Sequence, residues 1–432
     1  MPMKPDLSGK KLLILGAGAV ETTLVYRAKE LGIHTIVTDY NLDHRLSPAK
    51  DIADESWDIS WSDIDALEKE CRASGVDGVI SGYSEFRVEN NIKLCERLHF
   101  PCYITMEQLD VTRDKVKFKS VCRKNGVPVI REFPDIESVT SYPVIIKPTD
   151  RAGSIGISIA NNHEELVAAY KYAMDMSVCK RVIIEEFIYK ATKFDVYYAI
   201  IDGEILLLSS DDVLNAKSNR FEKVVQSGWL LPSIHHEAYI QNVDAAMRSM
   251  IRDMGIRNGY IFFSGFANGN GNFAFFECGF RLCGGHLYNY FPYIGQVNNM
   301  DLFIYYALTG DATCIKQDVC GGRPLKCVTI NVYAKKGTIG EIRGFEELKA
   351  LPSCYFMLQN APVGTVCNED KAILTKVGMA YFCSEHADEL AADVQQMNQI
   401  VQVLDVDGND MVYDRVDPSN IQYWWSNGGL EE

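Results

Sequence analysis

Pro143-Val144-Ile145-Ile146-Lys147-Pro148-Thr149-Asp150-Arg151-Ala152-Gly153-Ser154-Ile155-Gly156 is the stretch whose reading decides the fold. A short apolar run reads as a buried strand, and Lys147 closes it. The loop that follows carries Gly153 and Gly156, where backbone N–H groups can approach a phosphate closely, and Ser154, which adds a hydroxyl donor. A lysine beside such a loop supplies a point charge for the same phosphates. A helix comes next, and Asn162 and Glu165 have capping-box spacing at its start.

Outward from this stretch, Arg181-Val182-Ile183-Ile184-Glu185-Glu186-Phe187 reads as a strand that ends in two acids. Glu185, Glu186, Phe187 and Ile188 would together form a purine edge, with main-chain groups for the base and an acid for nearby polar atoms, although taken singly the stretch reads better as a strand end with solvated carboxylates. Upstream, Lys115 lies in a basic helix, Arg113 to Asn125, which Gly126-Val127-Pro128 ends. Downstream, Tyr260 to Glu277 reads as a hairpin turning at Asn270-Gly271, and Glu277-Cys278-Gly279-Phe280-Arg281 closes it. Leu282-Cys283-Gly284-Gly285-His286 is next in the chain. Gly284 would let a ligand approach there and His286 would face it, although a surface or hydrogen-bonded histidine is an equal reading. Tyr288, Tyr290 and Tyr293 read as packing residues.

The first hundred residues have a different grammar. Strands at Lys11–Leu15, His34–Asp39 and Gly78–Gly82 alternate with helices, one ending at Glu30 and the others spanning Ser62–Ala73 and Glu89–Leu98, which implies a parallel sheet with helices on both faces. Gly16-x-Gly18 after the first strand, with Asp39 ending the second, invites a dinucleotide reading. Glu21 stands where the third glycine belongs, and a carboxylate there would repel a pyrophosphate.

The chain has 432 residues, 47% hydrophobic and 23% charged, the balance of a globular protein of two or three domains. Its formal net charge of −15 argues against a nucleic-acid backbone or an anionic membrane as the main partner. The 13 cysteines form no C-x-x-C pair, so reduced core cysteines are expected rather than a disulfide framework. The polar N-terminus and the lack of any apolar run near the roughly 20 residues that span a bilayer set the expectation of a cytoplasmic protein. Asp405-x-Asp407-Gly408-Asn409-Asp410 reads as a hairpin turn, since the glycine and glutamate of a calcium loop are missing.

The order of these features, Lys115, then the strand ending in Lys147, then the Gly/Ser loop, then Glu185 to Ile188, then Glu277-x-x-x-Arg281, resembles the ATP-grasp superfamily. Biotin carboxylase, carbamoyl-phosphate synthase, D-alanine ligase and the purine-pathway ligases are members. The resemblance covers nearly the whole chain and implies an α/β protein of three parts: a Rossmann-like N-terminal domain (1–112), an ATP-grasp domain of two α+β lobes (113–317) with a mobile lid at about 127–190, and a small α+β C-terminal domain (318–432). It also implies ATP and Mg2+. Carried over by position, Lys115 and Lys147 contact the phosphates, Gly153, Ser154 and Gly156 belong to the closing loop, Glu185 to Ile188 hold adenine, Glu277 holds magnesium, and Arg281 stabilises the reacting acyl group. Glu85 lies where the first domain of these enzymes meets substrate. Arg281, Gly284 and His286 complete the expected substrate side.

The chain departs from the family pattern in its acids. Ser264 falls where the first metal acid belongs. The family's Glu-x-Asn-x-Arg reads Glu-Cys-Gly-Phe-Arg here, so Gly279 removes a second ligand. The ribose-binding acid is replaced by Thr192 or Lys193, with Asp195 as a substitute. Lys217 and Arg220 lie in a polar stretch that reads either as phosphate-reaching or as a solvated loop. The leading expectation is an ATP-dependent ligase that joins a small-molecule carboxylate to an amine through an acyl-phosphate, releasing ADP and phosphate. The alternatives are a nucleotide-binding regulatory protein without turnover, and another ATP-grasp carboxylate-activating chemistry such as carboxylation or formyl transfer. Neither substrate is legible, and the oligomeric state is open, a homodimer included.

Overall fold

Leu12, Leu13, Ile14 and Leu15 are all fully buried, and alternate side chains enter two different cores. Burial on both faces is what a parallel sheet covered by helices requires. In the computed structural model, which describes residues 4–151, 155–188, 191–216, 225–368 and 374–427, β1 (Lys11–Leu15), β2 (His34–Thr38), β3 (Glu55–Trp57) and β4 (Gly78–Ser81) form a parallel sheet of order β3-β2-β1-β4. Helices α1 (Thr22–Glu30) and α2 (Ala49–Ile52) cover one face through Leu24, Val25 and Ala49. Helices α3 (Ile64–Ser74) and α4 (Glu85–Leu98) cover the other through Leu67, Cys71 and Leu94. Helix α4 begins at Glu85, a turn earlier than expected, directly after the extended Ser84.

The basic helix expected at Arg113–Asn125 is α6 (Lys115–Lys124), and a helix the sequence reading missed, α5 (Met106–Arg113), precedes it. Each has its own cap. Thr105 and Gln108 form a capping box on α5, and the Asp114 carboxylate accepts from the Val116 and Lys117 amides of α6. Beyond α6, β5 (Glu132–Phe133), β6 (Val144–Pro148), β7 (Ser158–Ala160) and β8 (Val182–Glu186) make a small antiparallel sheet of order β5-β8-β6-β7. Helix α7 (His163–Met176) packs on it around Val144, Ile146, Leu166 and Ala173, and Asn162 caps that helix by accepting from the Glu165 amide, as its spacing implied.

The remaining frame is one eight-stranded antiparallel sheet. It is built from β9 (Thr192–Ile201), β10 (Glu204–Asn215), β11 (Gln226–Leu231), β12 (Gly259–Ala267), β13 (Phe273–Gly279), β14 (Lys326–Ala334), β16 (Cys354–Gln359) and β18 (Thr375–Ser384), in the order β13-β12-β9-β10-β11-β14-β18-β16. Along β9, Phe194, Val196, Tyr198 and Ile200 enter a core shared with α5, α6, α8 (His236–Asn242) and α9 (Asp244–Asp253). Tyr197, Ala199 and Ile201 enter the core on the opposite face, shared with α10 (Asn299–Thr309) and the N-terminal sheet. β15 (Gly337–Arg343), β17 (Val366–Cys367) and β19 (Gln402–Asp405) form a separate three-stranded sheet, and α11 (Ala387–Ile400) and α12 (Pro418–Asn427) pack beside it. The sheet runs unbroken across residues 317 and 318, because β11 pairs with β14 from Gly228↔Ile330 to Leu231↔Cys327.

That seam depends on Gly228. A Cβ there would lie 2.1 Å from the Thr329 carbonyl oxygen, a contact that only backbone movement relieves. Gly228→Ala is expected to destabilise the chain by about 1–3 kcal/mol, read as a lower thermal midpoint. Gly269→Ala, whose Cβ would meet open space, is expected to leave the midpoint unchanged. Equal midpoints for the two variants would contradict the seam's importance.

Candidate active site

Strand pairing creates the site's central feature. Asp211 on β10, Asp195 on β9, Ser264 on β12 and Glu277 on β13 stand opposite one another in register, a row across four neighbouring strands. Asp195 shares the face of Tyr197, the face toward the N-terminal sheet. Glu277 reaches that face through a bulge. Ser264 pairs with Glu277 and Gly265 with Phe275, so Phe276 is an extra residue in β13. Phe275 and Cys278 both enter the helical core, so Phe276 and Glu277 turn away from it together. Phe276 then lies under the Lys147 ammonium, 5.1 Å from ring centroid to Nζ.

The small sheet brings Lys147 to this row. Lys147 closes β6 opposite Ile183 of β8 and is 5% exposed. Its Nζ is 2.5 Å from Glu185 Oε2, and Lys119 of α6 contacts the other Glu185 oxygen. Lys119 also bonds Glu132 Oε1 at 2.9 Å. One buried carboxylate thus sits between two buried lysines. Burial pushes the Lys147 pKa down to about 7, helped by the charges of Lys119 and Lys115 and opposed by Glu277 and Glu132. Lys115 starts α6 and donates to the Arg151 carbonyl at 2.9 Å. Lys119, Glu132 and Phe276 escaped the sequence reading. The signal for Lys119 was faint: a lysine one turn after Lys115, beside the core residues Phe118 and Cys122.

At the other expected positions, Glu186 donates its amide to the Arg131 carbonyl and its side chain is exposed, while the Phe187 amide reaches the Pro143 carbonyl, after which Ile188 leaves the sheet. Gly156 adopts φ +76°, packed so that a Cβ would lie 2.7 Å from the Pro148 ring. Gly153, Ser154, Lys217 and Arg220 lie outside the described residues. Asp195 is buried; burial raises its pKa, Lys193 and Ser264 pull it down, and the nearby Glu277 charge pushes it up again. Arg281 donates from Nε to Glu85 Oε1 at 2.9 Å, lies 5.5 Å from the Phe262 ring, and so ties the start of α4 to the end of β13. A Cβ on Gly284 would meet open space. His286 does not face such space. It is 1% exposed, packed 4.7 Å from the Tyr83 ring and bonded through Nδ1 to the Tyr288 hydroxyl at 2.6 Å. Burial, reinforced by Lys376, pushes its pKa down to about 3, so it is neutral at ordinary pH.

The glycine turn of the N-terminal domain is filled from within. The Arg87 guanidinium lies 2.6 Å from where a Gly16 Cβ would be, and it pairs with the fully buried Glu21. The Glu21 carboxylate lies over the turn, its Oε2 3.1 Å from where a Gly18 Cβ would be, in space that a pyrophosphate would need. This arrangement rules against the dinucleotide reading on steric and electrostatic grounds.

The fold recurs among known proteins. Residues 98–220 match the family described as D-ala D-ala ligase C-terminus. A curated relative, the formate-dependent phosphoribosylglycinamide formyltransferase of Francisella tularensis subsp. tularensis, is 29% identical over 194 residues, 42% of this chain and 49% of that protein. The chain therefore spans about half the length of the curated relatives it matches. Among solved structures, the L-amino acid ligase from Bacillus licheniformis superposes with a TM-score of 0.74 at 18% identity, covering 92% of this chain and 99% of that one. The biotin carboxylase domain of 2-oxoglutarate carboxylase from Hydrogenobacter thermophilus superposes with a TM-score of 0.75 at 16% identity, covering 97% and 94%.

The depressed Lys147 pKa has a measurable consequence. Its free-state pKa lies below the ordinary 10.5, and a bound polyphosphate would raise it, so binding above about pH 7 should take up a proton. Calorimetry of ATP binding at pH 8 in buffers of different ionisation enthalpy is expected to show uptake approaching one proton, absent in Lys147→Arg. Buffer-independent heats in the wild type would contradict a deprotonated Lys147. The superpositions show that the chain shares its fold with the L-amino acid ligase and the biotin carboxylase domain.

Proposed function

We propose that the chain is an ATP-dependent carboxylate–amine ligase that works through an acyl-phosphate and releases ADP and phosphate. What supports this reading is that the charges of Lys115 and Glu277 both act on the buried Lys147, and that Arg281, two residues past β13, is paired with Glu85 at the start of α4. In this reading Lys115 and Lys147 bind the phosphates. Lys147 exchanges its Glu185 contact for a phosphate oxygen, and Glu185 keeps Lys119 as a partner, so no buried charge is left bare. Arg281 leaves Glu85 for the carboxylate substrate and holds it in line with the phosphorus. Its guanidinium then stabilises the negative charge of the tetrahedral state formed when the amine attacks. Glu85, freed, faces the amine. Glu277 would hold magnesium, which supplies neutralisation of phosphate charge when bound. The small sheet and α7 would close over the cleft to exclude water from the acyl-phosphate.

The names of the curated relatives suggest formate and a glycinamide amine as the first pair to try. The names of the solved structures add amino acids and bicarbonate. A second reading, nucleotide binding without turnover, draws on the missing acids at Ser264 and Gly279.

The test is Mg2+-dependent ADP release against a panel of carboxylates paired with amines, with mass spectrometry of the products. ADP release that needs both partners, with a condensed mass, is the expected result. ATP binding without turnover on any pair would favour the second reading. Arg281→Ala is expected to lower kcat by about 100-fold or more while the KM for ATP changes little. Lys147→Ala is expected to raise that KM. A variant at Arg281 that altered only the KM for ATP would contradict its assigned role.

A further inference from the structure

Two features remove the usual metal ligands from β12 and β13, and both leave marks on the packing. Ser264 offers only a hydroxyl. At Gly279 there is no room for an amide, because a Cβ would lie 2.4 Å from the Phe262 ring, the same ring that lies against the Arg281 guanidinium. Glu277 is left as the sole carboxylate on these two strands.

One strand further in, Asp195 stands beside Ser264 in the same row. Its side chain is 9% exposed, and its nearest cation, Lys193 Nζ, is 3.9 Å from Oδ2. Oδ1 is buried and has no hydrogen-bond partner among the described residues. A buried carboxylate oxygen without a partner is costly, and native structures seldom keep one without a use. Asp211, the next acid in the row, also has a buried oxygen without a hydrogen-bond partner, but its other oxygen accepts from the Tyr197 hydroxyl and it lies three strands from Glu277, beyond reach of a shared small cation.

We propose that Asp195 is a metal ligand of this site: its Oδ1 and a Glu277 oxygen hold one divalent cation against the nucleotide phosphates, the acid having moved one strand inward from position 264. The inference rests on the reading that a nucleotide occupies the cleft. Asp195 and Glu277 lie on strands two apart, about 10 Å between backbones, and their side chains rise from one face across the short Ser264. Among the described residues no three His, Cys, Asp or Glu side chains converge to hold a metal by themselves. Two carboxylates suit a small hard cation that completes its shell with phosphate oxygens and water. The site therefore binds metal with nucleotide and only weakly without it.

The experiment is a titration of Mn2+ against the full chain in saturating ADP, with free Mn2+ read by electron paramagnetic resonance and metal-free ADP affinity measured separately. Asp195→Asn is expected to weaken Mn2+ binding to the protein–ADP complex by about tenfold or more, while metal-free ADP affinity holds. Adding Ser264→Asp to that variant is expected to restore most of the Mn2+ affinity, which a merely structural role for Asp195 would not allow. Wild-type Mn2+ affinity in Asp195→Asn, with ADP still bound, would overturn the proposal and leave the ligase reading intact. Failure of the wild-type chain to bind ADP would overturn both.

Discussion

The row Asp211–Asp195–Ser264–Glu277 exists because β10, β9, β12 and β13 pair antiparallel in one register, and because a single extra residue in β13, Phe276, re-aims Glu277. Side-chain direction in a strand has a period of two, so a slip of one residue would send Asp195 into the core of Phe194, Tyr198 and Phe263. The register is held from both faces. Apolar side chains lock β9 against helices on one side and against α10 and the N-terminal sheet on the other. The chemistry of the cleft is thus a by-product of how the sheet is packed, and Glu277 faces it only because Phe276 is bulged.

Charge balance is the second constraint. Lys119, Lys147, Glu132 and Glu185 are gathered where water is scarce, and each buried charge has an opposite neighbour. Such a cluster contributes little to stability by itself, since desolvation offsets most of the Coulomb attraction. In the proposed function it would hold Lys147 in place, ready to exchange one anion for another. The same logic runs through the N-terminal domain, where Arg87 and Glu21 fill the glycine turn. There the Arg87 and Glu21 side chains take up the space at Gly16 and Gly18 that a ligand's phosphate would need.

Much of this was legible in the sequence. The parallel strands announced themselves as short apolar runs, and Asn162 and Glu165 marked the start of α7 by spacing alone. The order of Lys115, Lys147, Glu185 and Glu277-x-x-x-Arg281 carried the fold. The hidden part was whatever depends on residues distant in the chain. No local pattern shows that Lys119 meets Glu185, or that Asp195 stands beside Ser264. Helix α5, which lies before the expected basic helix, was visible in principle, since Thr105 and Gln108 have capping-box spacing. His286 read equally as a ligand contact and as a surface or hydrogen-bonded histidine, and packing against Tyr83 and Tyr288 makes it a buried, hydrogen-bonded one.

The most direct test is a crystal structure of the chain with a non-hydrolysable ATP analogue and Mn2+. The adenine is expected at Glu186 and Ile188, the phosphates at Lys115 and Lys147, and an anomalous metal peak beside Glu277. An analogue bound anywhere else, the Gly16–Gly18 turn included, would contradict the assignment of this cleft as the nucleotide site.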